Sequence, residues 1–336
     1  MNSASKRRQR GVALLVVLIL LVLMSVLAAR ISQQFTRNLQ KIQFQLGQQT
    51  LRWNSDAAVQ LAIIRLGDDL ADGKKPSSLD QSWAQPISVK TEDYQLDSQV
   101  FDAQTCFNVN SLLAPDNSTT SPLPGEKAMT QKVVEYLMTN AGINSATAET
   151  LFNELTVYLG IDSGSDNSKA SSAAEAFRAM QPPRVPAKQM MYSISELKLL
   201  PGFPVESYAR LSKLLCALPN TKTKVNINSL TQQQAPLLSG LFLGELTADD
   251  ASQLISKRPD SGWESVEAFR AQLEKQFPVK GKEASADSYM TVNSNFFTVY
   301  TTGRTDNLTL RFVDNLYLDE ETREASRWLH RYRTIE

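Results

Sequence analysis

The most regular hydrophobic pattern of the chain lies near its N-terminus. Residues 12–29 are apolar except for one serine, and a helix of this length spans roughly 27 Å, enough to cross the apolar part of a bilayer. Apolar side chains then recur at steps of three and four from Ile31 to Leu61. Since no proline lies between residues 12 and 69, the pattern predicts one unbroken helix of about 55 residues that ends between Gly67 and Gly73.

Four basic residues precede this apolar segment with no acid among them: Lys6, Arg7, Arg8 and Arg10. They predict a cytoplasmic N-terminus and export of the chain beyond the span. A secretory signal peptide cut after Ala28 or Ala29 and an uncut signal anchor are two interpretations. The third is a prepilin-type leader cut between Gly11 and Val12. A signal-peptide cut would divide the predicted helix, and a short basic stretch ending in glycine is the pattern that a prepilin leader needs, so the third interpretation is favoured.

Beyond the helix, the pattern divides into β-prone ends and a helical middle. Stretches rich in β-branched and aromatic residues occupy 82–110, 289–300 and 308–318, with a candidate turn at 303–307. Helices are predicted at 125–141, 146–160, 193–200, 204–217, 229–242, 247–257 and 263–276. The serine-rich stretch 162–186 contains three prolines and is predicted to be a long loop.

This alternation predicts an α+β fold in which a helical insertion splits one αβ unit. Such an insertion is permitted because the termini of a domain usually lie close together at its surface. The predicted division is a leader at 1–11, a transmembrane helix at 12–29, the long helix and first strands of the αβ unit at 30–110, an inserted α-helical domain at 111–280, and the C-terminal strands and tail at 281–336.

A short motif occurs twice in the chain. Residues 107–112 read FNVNSL and residues 225–230 read VNINSL. In each, an alternation of apolar residues and asparagine leaves a strand, and asparagine or serine then caps a helix. The repetition predicts two similar helical halves within the inserted domain or a duplicated strand-to-helix junction, and the alternative is chance recurrence of a common capping pattern.

Composition narrows the class of function. The 336 residues contain 35 basic and 35 acidic side chains, a formal net charge of zero, so the chain lacks the basic field of a general nucleic-acid binder. A single histidine, His330, argues against histidine-based metal or triad chemistry. Nucleophile-elbow and phosphate-loop motifs are missing from the sequence, and no enzymatic activity is predicted.

These features together resemble the type II secretion minor pseudopilin K family, also called general secretion pathway protein K. The matching segments are RQRGVALLVVLILLVLMSVLAARI at 8–31, FNVNSLL at 107–113, YSISELKLLPGF at 192–203 and VNINSL at 225–230. The resemblance implies a pseudopilin fold, with a long membrane and amphipathic helix packed on an antiparallel sheet, and a large inserted all-α domain. It also implies cleavage by prepilin peptidase between Gly11 and Val12, N-methylation of Val12, and a single-pass inner-membrane protein with a periplasmic C-terminal domain.

Val16 is the fifth residue after the predicted cleavage point, where most pilins and pseudopilins carry glutamate and the K subunit is the exception. A carboxylate within hydrocarbon costs at least about 2.5 kcal/mol and must be paired. A subunit with no neighbour above it needs no such pair, so the resemblance implies a position at the pseudopilus tip. The partners implied are minor pseudopilins I and J, the major pseudopilin, the prepilin peptidase and the inner-membrane secretion platform. Contacts with the secretin or with secreted substrates are further expectations.

Two cysteines and a short acidic loop are candidate structural sites. Cys106 and Cys216 are predicted to form a disulfide in an oxidising periplasm, the alternative being two separate thiols. The family resemblance further implies a calcium site at Asp162, Asp166 and Glu175, because carboxylates suit this hard cation. The acids are fewer than the family pattern offers, with alanine at 176 where that pattern has aspartate.

A competing interpretation is a membrane-anchored DNA-binding receptor with helix-hairpin-helix repeats. The segment 199–203, Leu-Leu-Pro-Gly-Phe, resembles the hairpin of that motif, which holds a phosphate with backbone N–H groups. Pro204 stands where the motif needs glycine and removes one donor. Since nearby lysines are few (Lys213, Lys222 and Lys224), a protein-contact role for a similar helical bundle is favoured, with no nucleic-acid partner.

Overall fold

The structure of the chain, a computed structural model, describes residues 6–70, 75–114, 127–161, 167–277 and 286–335. Its first element is α1 (Lys6–Leu70), an unbroken helix of 65 residues, about 97 Å long at 1.5 Å per residue. The end at Leu70 confirms the predicted end. Near its N-terminus, α1 has the length and composition of a membrane span, with a mean hydropathy of 3.3 over a stretch of which nothing is buried.

Nine strands occur in the described residues: β1 (Ile87–Lys90), β2 (Gln95–Asp102), β3 (Phe107–Asn108), β4 (Leu215–Cys216), β5 (Val225–Asn226), β6 (Met290–Thr291), β7 (Phe296–Thr305), β8 (Leu308–Leu318) and β9 (Ala325–Ile335). Five form one antiparallel sheet in the order β1-β2-β7-β8-β9. The sheet is thus assembled from both ends of the chain, and the predicted α+β class with a long helix on an antiparallel sheet is confirmed.

The second half of α1 lies on one face of this sheet. Alternate residues of the strands point towards the helix, so that Val299 and Leu316 form one buried cluster with Val59 and Leu66 of α1. The helix approaches β7 closely at Gly303, where an added Cβ atom would lie 2.9 Å from a methyl carbon of Leu51. Glycine at this position therefore allows the helix and the sheet to meet.

The remaining helices belong to the inserted part of the chain: α2 (Met129–Asn140), α3 (Ser145–Leu159), α4 (Asn167–Ala179), α5 (Tyr208–Leu211), α6 (Ala235–Leu241), α7 (Ala248–Ser256) and α8 (Val266–Gln276). Their apolar faces share a large hydrophobic core that is distinct from the cluster between α1 and the sheet. Two short parallel strand pairs, β3 with β4 and β5 with β6, contribute Phe107, Leu215, Val225 and Met290 to this core.

Several predicted elements are wrong in extent or type. The stretch 162–186 is not a continuous loop, because α4 occupies 167–179 and buries Ala173 and Phe177 at helical spacing. The predicted helix 204–217 contains a 3-10 turn (Val205–Ser207) and the single α-helical turn α5, and the chain then enters β4. The helix predicted from 229 begins later, after a capping box at Thr231 that starts a short 3-10 turn.

Three more differences concern a helical turn, the last strand and the turn between β7 and β8. Residues 193–200 form a 3-10 turn (Ile194–Leu199) rather than an α-helix, stabilised by a capping box between Ser193 and Glu196. At the C-terminus, where only a tail was expected after Leu318, the chain returns as β9 along the edge of the sheet. The candidate turn at 303–307 narrows to residues 306 and 307, since β7 continues to Thr305.

Candidate functional site

A row of large apolar side chains on α1 stays exposed to between 38% and 73% of its surface: Ile31, Phe35, Leu39, Ile42, Leu46, Trp53, Leu61 and Ile64. The spacing of three, four, seven and eight residues keeps this row, here called the exposed stripe, on one side of the helix. The opposite side carries the buried Leu51 and Leu66 against the sheet. The helix is therefore apolar on two sides. The sheet covers one of them, and no other part of the described chain covers the exposed stripe.

The charges along α1 are of one sign for most of its length. The first acidic residue of the chain is Asp56, whereas basic side chains follow the span at Arg30, Arg37, Lys41 and Arg52. Helical spacing places Arg30, Arg37 and Lys41 on the side of α1 away from the exposed stripe, so the stripe itself stays apolar.

The predicted processing site lies within the same continuous helix. Backbone helical geometry passes through Gly11 and Val12 without a break, and Val16 is 48% exposed among other apolar side chains. Residues 12–29 contain no ionisable side chain, so Val16 introduces no buried charge into this span. Cleavage before Val12 and its N-methylation stay predictions.

The structure joins the two cysteines, Cys106 and Cys216, in a disulfide with their Cα atoms 5.7 Å apart. Cys106 precedes β3 and Cys216 lies in β4, so the bond fastens the first parallel strand pair. It closes a loop over 110 residues of sequence. The first helices of the insertion are thereby held at both ends next to the sheet.

Each copy of the repeated motif uses its second asparagine to bind a distant backbone segment. The Asn228 amide donates from Nδ2 to the carbonyl of Trp263 at 2.9 Å and accepts from the Trp263 N–H at 2.8 Å. In the first copy, Asn110 makes the same pair of bonds with Met191, at 2.8 and 2.7 Å, and also donates to the Leu218 carbonyl. The two amides are fully buried, and each mimics a peptide group of an adjacent strand.

The first asparagine of each copy fixes the local turn. Asn108 accepts from the N–H of Asn110 at 3.2 Å, and Asn226 accepts from the N–H of Asn228 at 3.0 Å. This matching set of bonds shows that the two motifs share one conformation. The repetition was visible in the sequence, but the partners of the amides were not, because they lie 35 and 81 residues away.

A buried carboxylate connects the sheet to the second copy. Asp102, at the end of β2, accepts hydrogen bonds from Asn226 Nδ2 at 2.8 Å, from the Ser294 hydroxyl at 2.5 Å and from the Gln104 N–H at 2.7 Å. Burial raises the pKa of Asp102, while hydrogen bonds, including one with Ser229, oppose this shift. Sequence analysis missed this group, since only the fold brings its partners together.

The predicted calcium ligands are only partly within the described chain. Asp162 and Asp166 lie outside the described residues, and Glu175 is an exposed side chain on α4. Within the described ranges, no group of three or more acidic, histidine or cysteine side chains is close enough to hold a metal. One observation does fit a cation: Glu154 on α3 is buried, and its Oε2 atom has no hydrogen-bond partner.

The hairpin segment considered for DNA binding has an apolar surface. Gly202 takes a left-handed φ of +66°, and Leu200 and Phe203 are buried beside it. The next exposed side chain is Val205, at 62%. Since Pro204 offers no N–H group, the loop lacks one of the backbone donors on which the DNA interpretation depends.

A helix that is apolar and exposed in its first part, and packed on an antiparallel sheet in its second part, defines a membrane-anchored pilin-like subunit. Two models of the family described as "Type II secretion system (T2SS), protein K" match residues 105–220 and 225–289. The first segment begins two residues before the first copy of the asparagine motif, and the second begins at the first residue of the second copy.

Relatives match over almost the whole chain. The putative type II secretion system protein K of Escherichia coli K12 is 32% identical, covering 94% of this chain and 96% of the relative. The Klebsiella pneumoniae protein K is 33% identical over 86% of each. A chain of the crystal structure of the GspK-GspI-GspJ complex from enterotoxigenic Escherichia coli superposes with a TM-score of 0.72 at 26% identity, covering 86% of this chain and 98% of that one.

This chain therefore belongs to the type II secretion system protein K family. Its role is that of a minor pseudopilin in type II secretion, a structural component of the machinery. The apolar start of α1 accords with the inner-membrane anchoring of pseudopilins.

Proposed function

We propose that this protein occupies the tip of the type II secretion pseudopilus and initiates its assembly together with minor pseudopilins I and J. The observation that carries the proposal is the exposed stripe of α1, which continues past the membrane segment to Ile64. An apolar stripe at helical spacing is the surface on which a second helix packs. The related chain superposed above comes from a complex of GspK with GspI and GspJ, which supports such helices as occupants.

The apolar residue at position 16 supports a terminal place in the filament. A carboxylate in the span must find a partner because its burial in hydrocarbon is costly. Val16 carries no such requirement, and no other residue of the span at 12–29 is ionisable. In this proposal the subunit accepts neighbours on one side and requires none above it.

The size of the exported part supports the same position. Residues 107–291 add a second hydrophobic core to the sheet unit, tied to it through the Asp102 network and the disulfide. A bulky head that is rigidly attached in this way blocks the addition of another subunit beyond it. The major pseudopilin and the inner-membrane platform then extend the filament from below, for export of proteins across the outer membrane.

The proposed contact with minor pseudopilins I and J is tested by co-purification. The full chain, carrying Trp53→Ala and Ile64→Ala, is expressed with pseudopilins I and J and extracted in detergent. Both side chains are more than half exposed, so the fold is expected to be retained, whereas a buried aromatic anchor at an interface is worth about 2 kcal/mol or more. Recovery of the partners should fall at least roughly ten-fold. Gln45→Ala, an exposed polar position on the same helix, is the control, and unchanged recovery with the double variant contradicts the proposal.

The proposed cleavage between Gly11 and Val12 is tested by sequencing the N-terminus of the purified protein. Prepilin cleavage gives a methylated Val12, and Gly11→Ala is expected to leave the basic leader in place. A mature chain that begins near Ile31 would contradict the proposal, because the anchoring part of α1 would then be lost. Retention of Met1 in the wild-type protein would point to an uncut anchor.

A further inference from the structure

A cavity of about 440 Å³ lies where the end of α3, one side of α4 and the chain that follows α4 meet. Small residues leave this space open: Ala170, Ser171 and Ala174 on α4, and Gly160 directly after α3. The spacing of 170, 171 and 174 places these residues on one side of α4. None of these elements carries the exposed stripe, so the cavity belongs to a surface that is separate from α1.

Three basic side chains line the cavity, and no acidic residue of the described chain lines it. Arg178 lies in the last turn of α4, whereas Arg184 and Lys188 follow the helix. Within the described residues, none of the three side chains makes a hydrogen bond or an ion pair. Glu175, the single acid of α4, is exposed and does not line the cavity.

The two helix ends beside the cavity offset only part of this positive charge. The C-terminal carbonyl groups of a helix carry about half a negative elementary charge, and α3 and α4 both end beside the cavity. Three cations therefore leave an excess of about two positive charges. Such an excess attracts a negatively charged partner and disfavours a positively charged one.

The backbone holds two of these cations in fixed positions. The Arg184 N–H donates to the carbonyl of Phe177 at 3.0 Å, and the Lys188 N–H donates to the carbonyl of Tyr158 at 2.7 Å. Lys188 has a left-handed φ of +51°, a conformation that costs free energy for residues other than glycine. An added Cβ atom at Gly160 would lie 3.1 Å from the Lys188 Cα atom, so glycine allows this close approach. The chain thus keeps a lysine beside the cavity at a position whose backbone favours glycine.

Apolar side chains border the three cations. Val157, Ile161 and Pro186 line the cavity, and Val185, which also lines it, is 84% exposed. A small inorganic anion would contact only the cations. A peptide that carries acidic and apolar side chains would cover the cations and the exposed valine together, and arginine beside apolar surface is typical of protein interfaces.

We propose that this cavity binds an acidic segment of another protein, with carboxylates on Arg178, Arg184 and Lys188 and an apolar side chain against Val185. Guanidinium groups suit this role because they bind a carboxylate through two parallel hydrogen bonds. The small side chains of α4 provide the room for the segment. The surface lies on the inserted part of the chain, so this binding does not depend on the contacts of α1 in the pseudopilus.

The experiment uses the full chain in a zwitterionic detergent and a rhodamine-labelled peptide in which glutamates surround a valine. Fluorescence anisotropy measures the affinity at low salt. Replacing Arg178, Arg184 and Lys188 together with alanine should weaken binding at least roughly ten-fold, because each exposed ion pair contributes modestly. Lysine at both arginine positions keeps the charges and should retain most of the binding.

A matched control removes three cations from other surfaces. Lys222, Lys257 and Lys275 are exposed, and their joint replacement with alanine should change the affinity less than about two-fold. The melting temperature of the triple variant at the cavity should be unchanged or raised, since it removes charges that repel one another. Weaker binding by a folded protein is then a property of the site.

Lys188→Gly separates binding from stability. Glycine suits the left-handed backbone, so the melting temperature should rise, while the loss of one charge should weaken peptide binding about three-fold. Raising the salt concentration from about 10 mM to about 1 M shortens the screening length from about 30 Å to about 3 Å and should weaken binding by the wild type. Val185→Ser should weaken binding at both salt concentrations.

Four outcomes overturn the proposal. Unchanged affinity in the triple alanine variant at the cavity would place the peptide elsewhere, and equal weakening by the control lysines would show a general attraction to charge. Failure of the wild type to bind contradicts it as well, and binding that appears only with Asp162→Asn and Asp166→Asn would show that acids of the chain itself occupy the cavity. Finally, if inorganic phosphate at the same ionic strength displaces the peptide and Val185→Ser has no effect, the ligand is a small oxyanion.

Discussion

The buried amide of Asn228 gives the sharpest test of how the repeated motif holds the inserted part together. Asn228→Ala removes two hydrogen bonds to the backbone of Trp263, one from its N–H and one to its carbonyl group. Both groups are buried, and no water reaches them easily at a residue that is 3% exposed. Each unpaired backbone group costs about 1–3 kcal/mol, so the loss of both bonds should lower the free energy of unfolding by about 2–6 kcal/mol.

The assay is urea unfolding of the full chain in detergent, followed by circular dichroism and tryptophan fluorescence. Asn228→Asp should be at least as unstable, because it retains an acceptor for the Trp263 N–H but directs a charged oxygen at the Trp263 carbonyl. Asn293→Ala, at an exposed position, is the control and should stay within about 0.5 kcal/mol of the wild type. Asn110→Ala in the first copy should cost at least as much, since this amide makes three such bonds.

A loss below about 0.5 kcal/mol for Asn228→Ala would refute the reasoning. It would mean that the Trp263 backbone finds other partners, and that the matched geometry of the two motifs is not what stabilises them. A loss confined to one of the two copies would instead show that the halves are stabilised differently.

Three further predictions concern other parts of the molecule. Replacing both Cys106 and Cys216 with serine should lower the free energy of unfolding by up to about 4.7 kcal/mol, and a reducing agent should shift the melting temperature of the wild type alone. The pKa of Glu154 is about 7 in the folded protein and 4.5 in the unfolded chain. Its contribution to the free energy of unfolding should therefore fall as pH rises from about 4.5 to 7, by at most about 3 kcal/mol, and level off above pH 7. Glu154→Gln should flatten this dependence on pH, and an unchanged slope would contradict the raised pKa of Glu154. Gly303→Ala should cost about 1–3 kcal/mol by overpacking the contact of α1 with the sheet, whereas Gly67→Ala, in open space on α1, should stabilise by about 0.5–1 kcal/mol; equal effects of the two would contradict the close approach.

The long helix was predictable because its signal is local and repeated. Apolar spacing, the absence of proline and the basic stretch before Val12 all point to the same element. The strand β9 was not predictable, since Ala325–Ile335 is rich in arginine and resembles a solvated tail. The same composition suits the exposed edge of a sheet. Its place depends on pairing with β8, which only the folded chain displays.

The candidate sites divide in the same way. The motif of Asn110 and Asn228 could be recognised as a repeat, yet the backbone partners that give it meaning are distant in sequence. Glu154 gave no signal at all, because its burial depends on α4, and the serine-rich sequence of that helix suggested a loop. Burial depends on how the elements pack together, so it cannot be predicted from a single acidic residue within an apolar helix pattern.

The order of strands in the sheet determines how late the exported chain can complete its folding. β2 ends at Asp102, but its neighbour β7 begins only at Phe296. During translocation, the side of α1 that packs on the sheet therefore stays uncovered next to the membrane until nearly the whole polypeptide has been exported. Non-local pairing of this kind is slow to form, so the nascent subunit is most vulnerable to proteases and to premature association before its last three strands arrive.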